Sequence, residues 1–288
     1  MLSKYPHKVR VEKLDDQNSV LTEFYFRHGA NIFVFSYETD GQIKHTFIDT
    51  GYLEHQDRIL PILRQNQIDL ALIENIIITH RHIDHCGLAR QLALLSGAKI
   101  VVHAGFKSFV EGDLTPQEKL WLGKLDPSRL RESQIEYRVP DDKHAVEIEG
   151  IRFPRLGDNI PIGLSGKLEI LACPDHNTTH SPDQLIVRYS QSPVVEHNGS
   201  DVNHKPSTED IIFSGDLWLM TGPVFDKNLR MIPLMLKYAF YYFKERMAGR
   251  RIIWDDPRDQ DVDAKEALKK GFSLIRVKPG HGEEFLGC

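Results

Sequence analysis

Apolar and polar positions along the chain follow two different periods, and the switches between them mark out the elements. Residues 24–51, FYFRHGANIFVFSYETDGQIKHTFIDTG, read as two extended segments around the turn signal Thr39-Asp40-Gly41. A helical segment is predicted near EHQDRILPILRQNQ. ENIIITH is a short β-branched run, apolar at successive positions, as expected of an interior strand covered on both faces. Leu88, Leu92 and Leu95 then recur at helical spacing, with Ser96-Gly97 as a stop, and AKIVVHAG is the next strand. Strand, helix, strand in that order is a βαβ-type unit.

Residues 106–140 read as an insertion, with a helical stretch at TPQEKLWLGKL. Strands resume at KHAVEIEGIRF, KLEILACP, DQLIVRYS and DIIFSGDL, with a polar loop, SQSPVVEHNGSDVNHKPSTE, before the last of these. A helix rich in large apolar residues is predicted over 229–248, a second at DVDAKEALKKG, and a final strand at SLIRVKPGHG. No repeat, low-complexity tract or linker composition interrupts this order. One domain over 1–288 is expected, with insertions around 106–140 and 218–260, in the α/β class with helices outside mixed sheets.

Composition narrows the setting more than the fold. The 288 residues are 41% hydrophobic and 27% charged, as in ordinary globular proteins, and the net charge of −5 disfavours an extended nucleic-acid surface. Cys86, Cys173 and Cys288 are an odd number with no close pair, which suggests reduced thiols in a cytoplasmic protein. The start, MLSKYPHKVRVEKLDD, has no apolar core of signal-peptide length. The longest oily run, Met231–Phe243, is too short to span a bilayer and contains Pro233 and Lys237. A soluble protein with no membrane or nucleic-acid partner is expected. Its 14 histidines are the unusual feature.

Several apolar strands end at a histidine or aspartate. HTFIDTG runs into Asp49, NIIITH into His80, DIIFSGD into Asp216, LIRVKPGH into His281, and LEILACPDHNTTH, a little later, into His176 and His180. Sites in α/β sheets gather beyond the carboxyl ends of strands, so these residues would converge on one pocket. In THRHIDHCG, His80 and His82 lie two apart and can face one cation, with Asp84 and His85 turned to a neighbouring position. Together with His180, Asp216 and His281 they number seven, which suits two metals and a bridging carboxylate. Clustering such groups after a buried strand costs desolvation that a metal can offset. By contrast, His7, His45, His55, His144, His197 and His204 read as solvated or hydrogen-bonded, and His28 and His103 as structural candidates.

THRHIDHCG resembles the H-x-H-x-D-H signature of the metallo-β-lactamase superfamily. The strands ending in Asp49-Thr50-Gly51, then HNTTHSPDQLIV, FSGDLWL and KPGHGEEF, resemble its other motifs in order along most of the chain. The resemblance implies a four-layered αββα sandwich with a dinuclear metal site at one edge. It implies His80, His82 and His180 on the first metal, Asp84, His85 and His281 on the second, and Asp216 between them. Asp49 would orient a ligand imidazole. At the third motif His176 competes with His180; the Ser-Pro-Asp that follows favours His180. Cys86 and Cys173 are expected to be packed thiols.

A hydroxide bridging two divalent cations is a nucleophile at neutral pH, which predicts a hydrolase acting on an ester, lactone or thioester. Zinc is the expected metal, with iron and manganese as alternatives. Asp84 is the candidate proton carrier. A small-molecule phosphodiesterase, or a non-haem iron redox enzyme of the same fold, is the alternative, and a non-catalytic metal-binding module is a third class. The 229–248 helix either walls an apolar cleft for an acyl chain or, the favoured reading, packs on the sandwich or forms a homodimer seam. No G-x-S-x-G elbow or P-loop is present.

Overall fold

The computed structural model describes residues 6, 8–14, 19–26, 29–114, 119, 122, 125–148, 151–173, 181–191, 210–215, 251–254 and 274–279. Among them are two sheets. The first runs β1 (Lys8–Lys13), β2 (Val20–Tyr25), β3 (Ile32–Thr39), β4 (Gln42–Ile48), β5 (Ile73–Ile77), β6 (Lys99–His103) and β7 (Ile135–Arg138) in spatial order. Its first four strands are antiparallel neighbours, and β4 to β7 are parallel. Asp40 and Gly41, both at positive φ (53° and 72°), close the tight β3–β4 hairpin that the sequence predicts.

The second sheet is ordered β14 (Arg251–Trp254), β15 (Leu274–Pro279), β13 (Asp210–Gly215), β12 (Leu185–Gln191), β11 (Gly166–Ala172), β9 (Ile151–Leu156) and β8 (Pro140–Ile148), with β10 (Ile160–Ile162) added to β11. Strands β13, β15 and β14 are parallel neighbours, and the other pairs are antiparallel. Both sheets are therefore mixed.

The β-branched and aromatic strands alternate their side chains between two apolar layers. Phe24, Ile32, Val34, Phe47, Ile76 and Ile100 face α1 (Gln56–Gln65), α3 (Ala89–Ser96) and α4 (Phe106–Glu111) through Ile59, Leu63, Leu92, Phe106 and Phe109. On the opposite face Leu21, Phe33, Phe35, Ile48 and Ile77 meet Leu168, Ile170, Val187, Tyr189 and Phe213 of the second sheet. Phe213 stands edge-on to Phe33 and Phe35, with centroids 4.9 and 5.5 Å apart. The outer face of the second sheet carries its own buried group, Phe153, Leu171, Cys173, Ile186 and Ile212.

The architecture is the αββα sandwich. The helices expected at 229–248 and at DVDAKEALKKG lie outside the described residues. Strand β7 falls within the stretch read as an insertion, yet it forms an edge of the first sheet. Leu88, just before α3, and Ala89, Leu92 and Ala93 within it are buried, whereas Leu95, near the helix end, is 43% exposed. No helix among the described residues is long and apolar enough to cross a membrane.

His45, on β4, is buried and hydrogen-bonded rather than solvated. The Asp69 backbone N–H donates to its Nε2 at 3.2 Å, so Nδ1 carries the proton and donates to Ser36 Oγ at 2.9 Å. Burial pushes its pKa below the ordinary value, opposed in part by the Asp69 carboxylate. The unfolded chain therefore binds this proton first, and the stability His45 confers is present above about pH 6.5 and lost as pH falls through the lowered folded value. Denaturant midpoints should fall between about pH 8 and about pH 5.5, and by less in His45→Gln. An equal fall in the variant would show that His45 is not the sensitive group.

Candidate metal centre

The strand ends carry the chemistry. β4 ends at Ile48, and the chain turns sharply through Asp49 and Gly51, whose φ values are 59° and 78°. A non-glycine residue in that region is held by its surroundings. Here the Asp49 N–H donates to Ile77 O at 2.9 Å, and its carboxylate collects several donors. Thr79 N donates to Asp49 Oδ1 at 2.9 Å, and Thr79 Oγ1 lies 3.0 and 2.8 Å from the two carboxylate oxygens. His85 Nδ1 lies 2.7 Å from Asp49 Oδ2.

These contacts fix the tautomers. A carboxylate only accepts, so His85 carries its proton on Nδ1 and presents the Nε2 lone pair. Thr79 gives its single hydroxyl hydrogen to Asp49, so it accepts from His80 Nδ1, 3.2 Å away. His80 therefore also presents an Nε2 lone pair. That atom lies 3.0 Å from His82 Nδ1, and the His80 and His85 ring centroids are 4.0 Å apart with the planes tilted by 48°. Two imidazole nitrogens sharing one zinc at 2.0–2.1 Å in tetrahedral geometry would be roughly 3.3 Å apart, so the spacing suits a common cation. Asp84 Oδ2 approaches His85 Nε2 at 3.8 Å. His80 and His85 are fully buried, while His82 and Asp84 are half-buried at the mouth.

Backbone contacts hold the two loops together. Thr50 N and Oγ1 both donate to His85 O at 2.8 Å, and Leu88 N donates to Gly51 O at 3.2 Å. His82 is the residue before α2 (Ile83–Cys86), and Gly87 follows that helix. A Cβ on Gly87 would lie 2.5 Å from Ile83 O and 2.6 Å from both Gly51 O and Leu53 N. Only glycine permits that approach.

The second sheet reaches the same place. Leu185 N donates to Thr79 O at 2.8 Å. Gly215, at φ 51°, sits so close to Thr79 that a Cβ would lie 2.8 Å from its Oγ1. Gly215 is also paired with Pro279 across β13 and β15. Ser181 and Gly215 are adjacent in sequence to His180 and Asp216, and Pro279 lies two residues before His281. Those three expected ligands, and His176, lie outside the described residues, as do His7, His28, His197, His204 and Cys288. Among the described residues no three His, Cys, Asp or Glu side chains form a complete metal-holding group. What is assembled there is two pairs, His80 with His82 and Asp84 with His85.

Cys86 is buried, its Sγ 3.4 Å from Arg81 O, and its thiol is pushed up by burial and by the Asp183, Asp84 and Asp49 carboxylates. Burial alone pushes the Cys173 thiol up. Both are packed thiols. His103 is buried at the end of β6, accepting the Gly105 N–H at 3.0 Å, and exposed His144 pairs with Asp141 at 2.7 Å.

Sequence reasoning passed over Thr79, Gly87, Gly215 and Tyr52. The Tyr52 ring packs against Gly29 (φ 101°), where a Cβ would come 2.6 Å from the ring and 3.7 Å from Asp84 Cβ. An aromatic directly after Asp-Thr-Gly was the available signal for Tyr52. Nothing in the spacing singles out Thr79.

Residues 41–182 match the profile of a family described as the metallo-beta-lactamase superfamily. No curated protein matches the chain. Among solved structures, a HARLDQ-motif mutant of a metallo-beta-lactamase from Cronobacter sakazakii (Enterobacter sakazakii) aligns with TM-score 0.47 at 13% identity, over 82% of this chain and 76% of its own. The MIM-2 metallo-beta-lactamase aligns with TM-score 0.46 at 16% identity, over 79% and 68%. Metallo-beta-lactamase SMB-1 bound to 2-mercaptoethanesulfonate aligns with TM-score 0.45 at 14% identity, over 93% and 80%.

Proposed function

The chain belongs to the metallo-beta-lactamase superfamily through residues 41–182, and from that premise we propose that it is a metal-dependent hydrolase of a small ester, lactone or thioester. The observation that carries the reading is the Asp49–Thr79 network, which engages His80 and His85 through their Nδ1 atoms and so leaves Nε2 as the lone-pair donor of each ring. Such orientation raises ligand basicity and removes a rotational cost from metal capture. His80, His82 and His180 would hold one divalent ion, Asp84, His85 and His281 a second, and Asp216 would stand between them, with zinc the metal that this donor set suits. When bound, the ions would lower the pKa of a water nucleophile and polarise the scissile carbonyl.

The chain's own groups do the rest. Asp84, partly buried beside His85, would take a proton from the attacking water and return it to the leaving group. Its neighbour His85 would give its Nε2 lone pair to the second ion and so could not also carry that proton. The Tyr52 ring, packed against Gly29 in the neighbourhood of Asp84, would offer an apolar surface to an acyl part. An acidic chain with net charge −5 does not favour a polyanionic substrate, which places acyl transfer to water ahead of phosphodiester cleavage.

Metal analysis of the purified protein, followed by a panel of lactones, thioesters, esters and small phosphodiesters on the zinc-loaded form, tests the proposal. Two equivalents of metal and turnover of an acyl substrate are expected. Two bound irons with redox turnover, or full loading with no hydrolysis of any class, would overturn it.

A further inference from the structure

We propose that β1 is a self-association edge, through which two copies of this chain join their first sheets as antiparallel neighbours about a two-fold axis at Val11. Among the described residues β1 lies at the end of the first sheet and pairs only with β2. Its alternation is inverted. Arg10 and Glu12 are half-buried on the face shared with Leu21 and Glu23, while Val9 and Val11 point outward, 37% and 62% exposed. An exposed edge strand with outward valines is the sort of edge that accepts another strand.

The occupant follows from the charges. Lysines at an edge usually discourage pairing, and here Lys8, Arg10 and Lys13 select among the registers. Three antiparallel registers pair five or more residues of Lys8–Lys13 with a second copy. Centring on Arg10 opposes Arg10 to itself, and centring between Arg10 and Val11 opposes Lys8 to Lys13. Centring on Val11 opposes Val11 to Val11, Arg10 to Glu12, and Glu12 to Arg10, with no like charges facing. Opposite charges directly across strands stabilise a pair and like charges destabilise it. Residue i meeting j while j meets i is also what a two-fold interface requires.

The axis makes the proposal sharp, because Val11 would be the residue of β1 that meets its own copy. Directly opposed residues of an antiparallel pair have Cα atoms about 4.5 or about 5.5 Å apart, both within disulfide reach. Val9 faces the same way but would lie four residues along the strand from its own copy, about 13 Å.

Cys86 and Cys173 are buried, so a Cys288→Ser background leaves an introduced thiol as the reactive one. In the full chain, Val11→Cys should give a covalent dimer on mild oxidation, and Val9→Cys should not. Sedimentation velocity of the unmodified protein should show a monomer–dimer equilibrium that Val11→Lys weakens by roughly tenfold, with circular dichroism unchanged. A monomer throughout a rising concentration series, cross-linking at Val9 as readily as at Val11, or a dimer indifferent to Val11→Lys would each overturn the proposal.

Discussion

Replacing His82 by alanine is expected to empty the site of one metal and to lower hydrolysis by at least about a hundredfold, since loss of a partner that merely orients a ligand already costs about 10- to 100-fold. His82 Nδ1 is the nitrogen 3.0 Å from His80 Nε2, and both belong to the loop that Thr79 begins. Alanine removes one half of that pair and leaves a buried imidazole facing it. The folding transition should hardly move, because His82 is half-buried and contributes no apolar core. His55→Ala is the control: its ring packs edge-on against Tyr52, 5.4 Å away, and both metal content and turnover should stay as they were. Retention of both in the His82 variant would place the metal elsewhere.

Gly87→Ala should be as damaging by a different route. The residue sits at φ −57° and ψ −41°, a conformation alanine prefers, so local propensity alone would welcome the change. The obstacle is backbone from both sides of the site, Ile83 O, Gly51 O and Leu53 N, all within 2.6 Å of the new carbon. No rotamer relieves a clash with main chain, so the Asp-Thr-Gly loop and the histidine loop must part. A loss of about 3 kcal/mol is expected, read as a lower denaturant midpoint, together with weaker metal binding. Gly97→Ala offers the comparison. It has positive φ but nothing within 4 Å of an added Cβ, and should cost about 1 kcal/mol with no effect on metal. If the two variants behave alike, close packing at Gly87 is not what holds the site.

How much of this was legible in the chain depended on what each residue does locally. β3, β4, β5 and β6 announce themselves because buried strands must be apolar and their turns need residues at positive φ. β7 does not: Ile135-Glu136-Tyr137-Arg138 is half-buried at every position, so no face stands out. β1 carries a clean period of two in Lys-Val-Arg-Val-Glu-Lys, but its valines point to solvent while Arg10 turns toward Glu23, the reverse of what alternation usually means. The histidine–aspartate cluster was readable as a candidate site because histidines and an aspartate after a buried strand have no ordinary reason to gather. Its support was less so. Thr79 is a commonplace residue just past a strand end, and only the fold brings Asp49, His85, Gly215 and Leu185 around it.

That position of Thr79 bears on the order in which the protein could assemble. Asp49, Thr79, His80, His82 and His85 come from residues 49–85, short-range neighbours in the chain that can be organised once β3 to β6 and α3 have formed. The contacts from Leu185 and Gly215 close loops of more than a hundred residues, and such contacts form late because chain entropy opposes them. A nascent chain would thus own a half-finished cradle well before the second sheet docks. In the proposed dinuclear centre, ions arriving then would be held loosely and would tighten only as the last strands fasten across Thr79, so that metal retention reports completion of the fold.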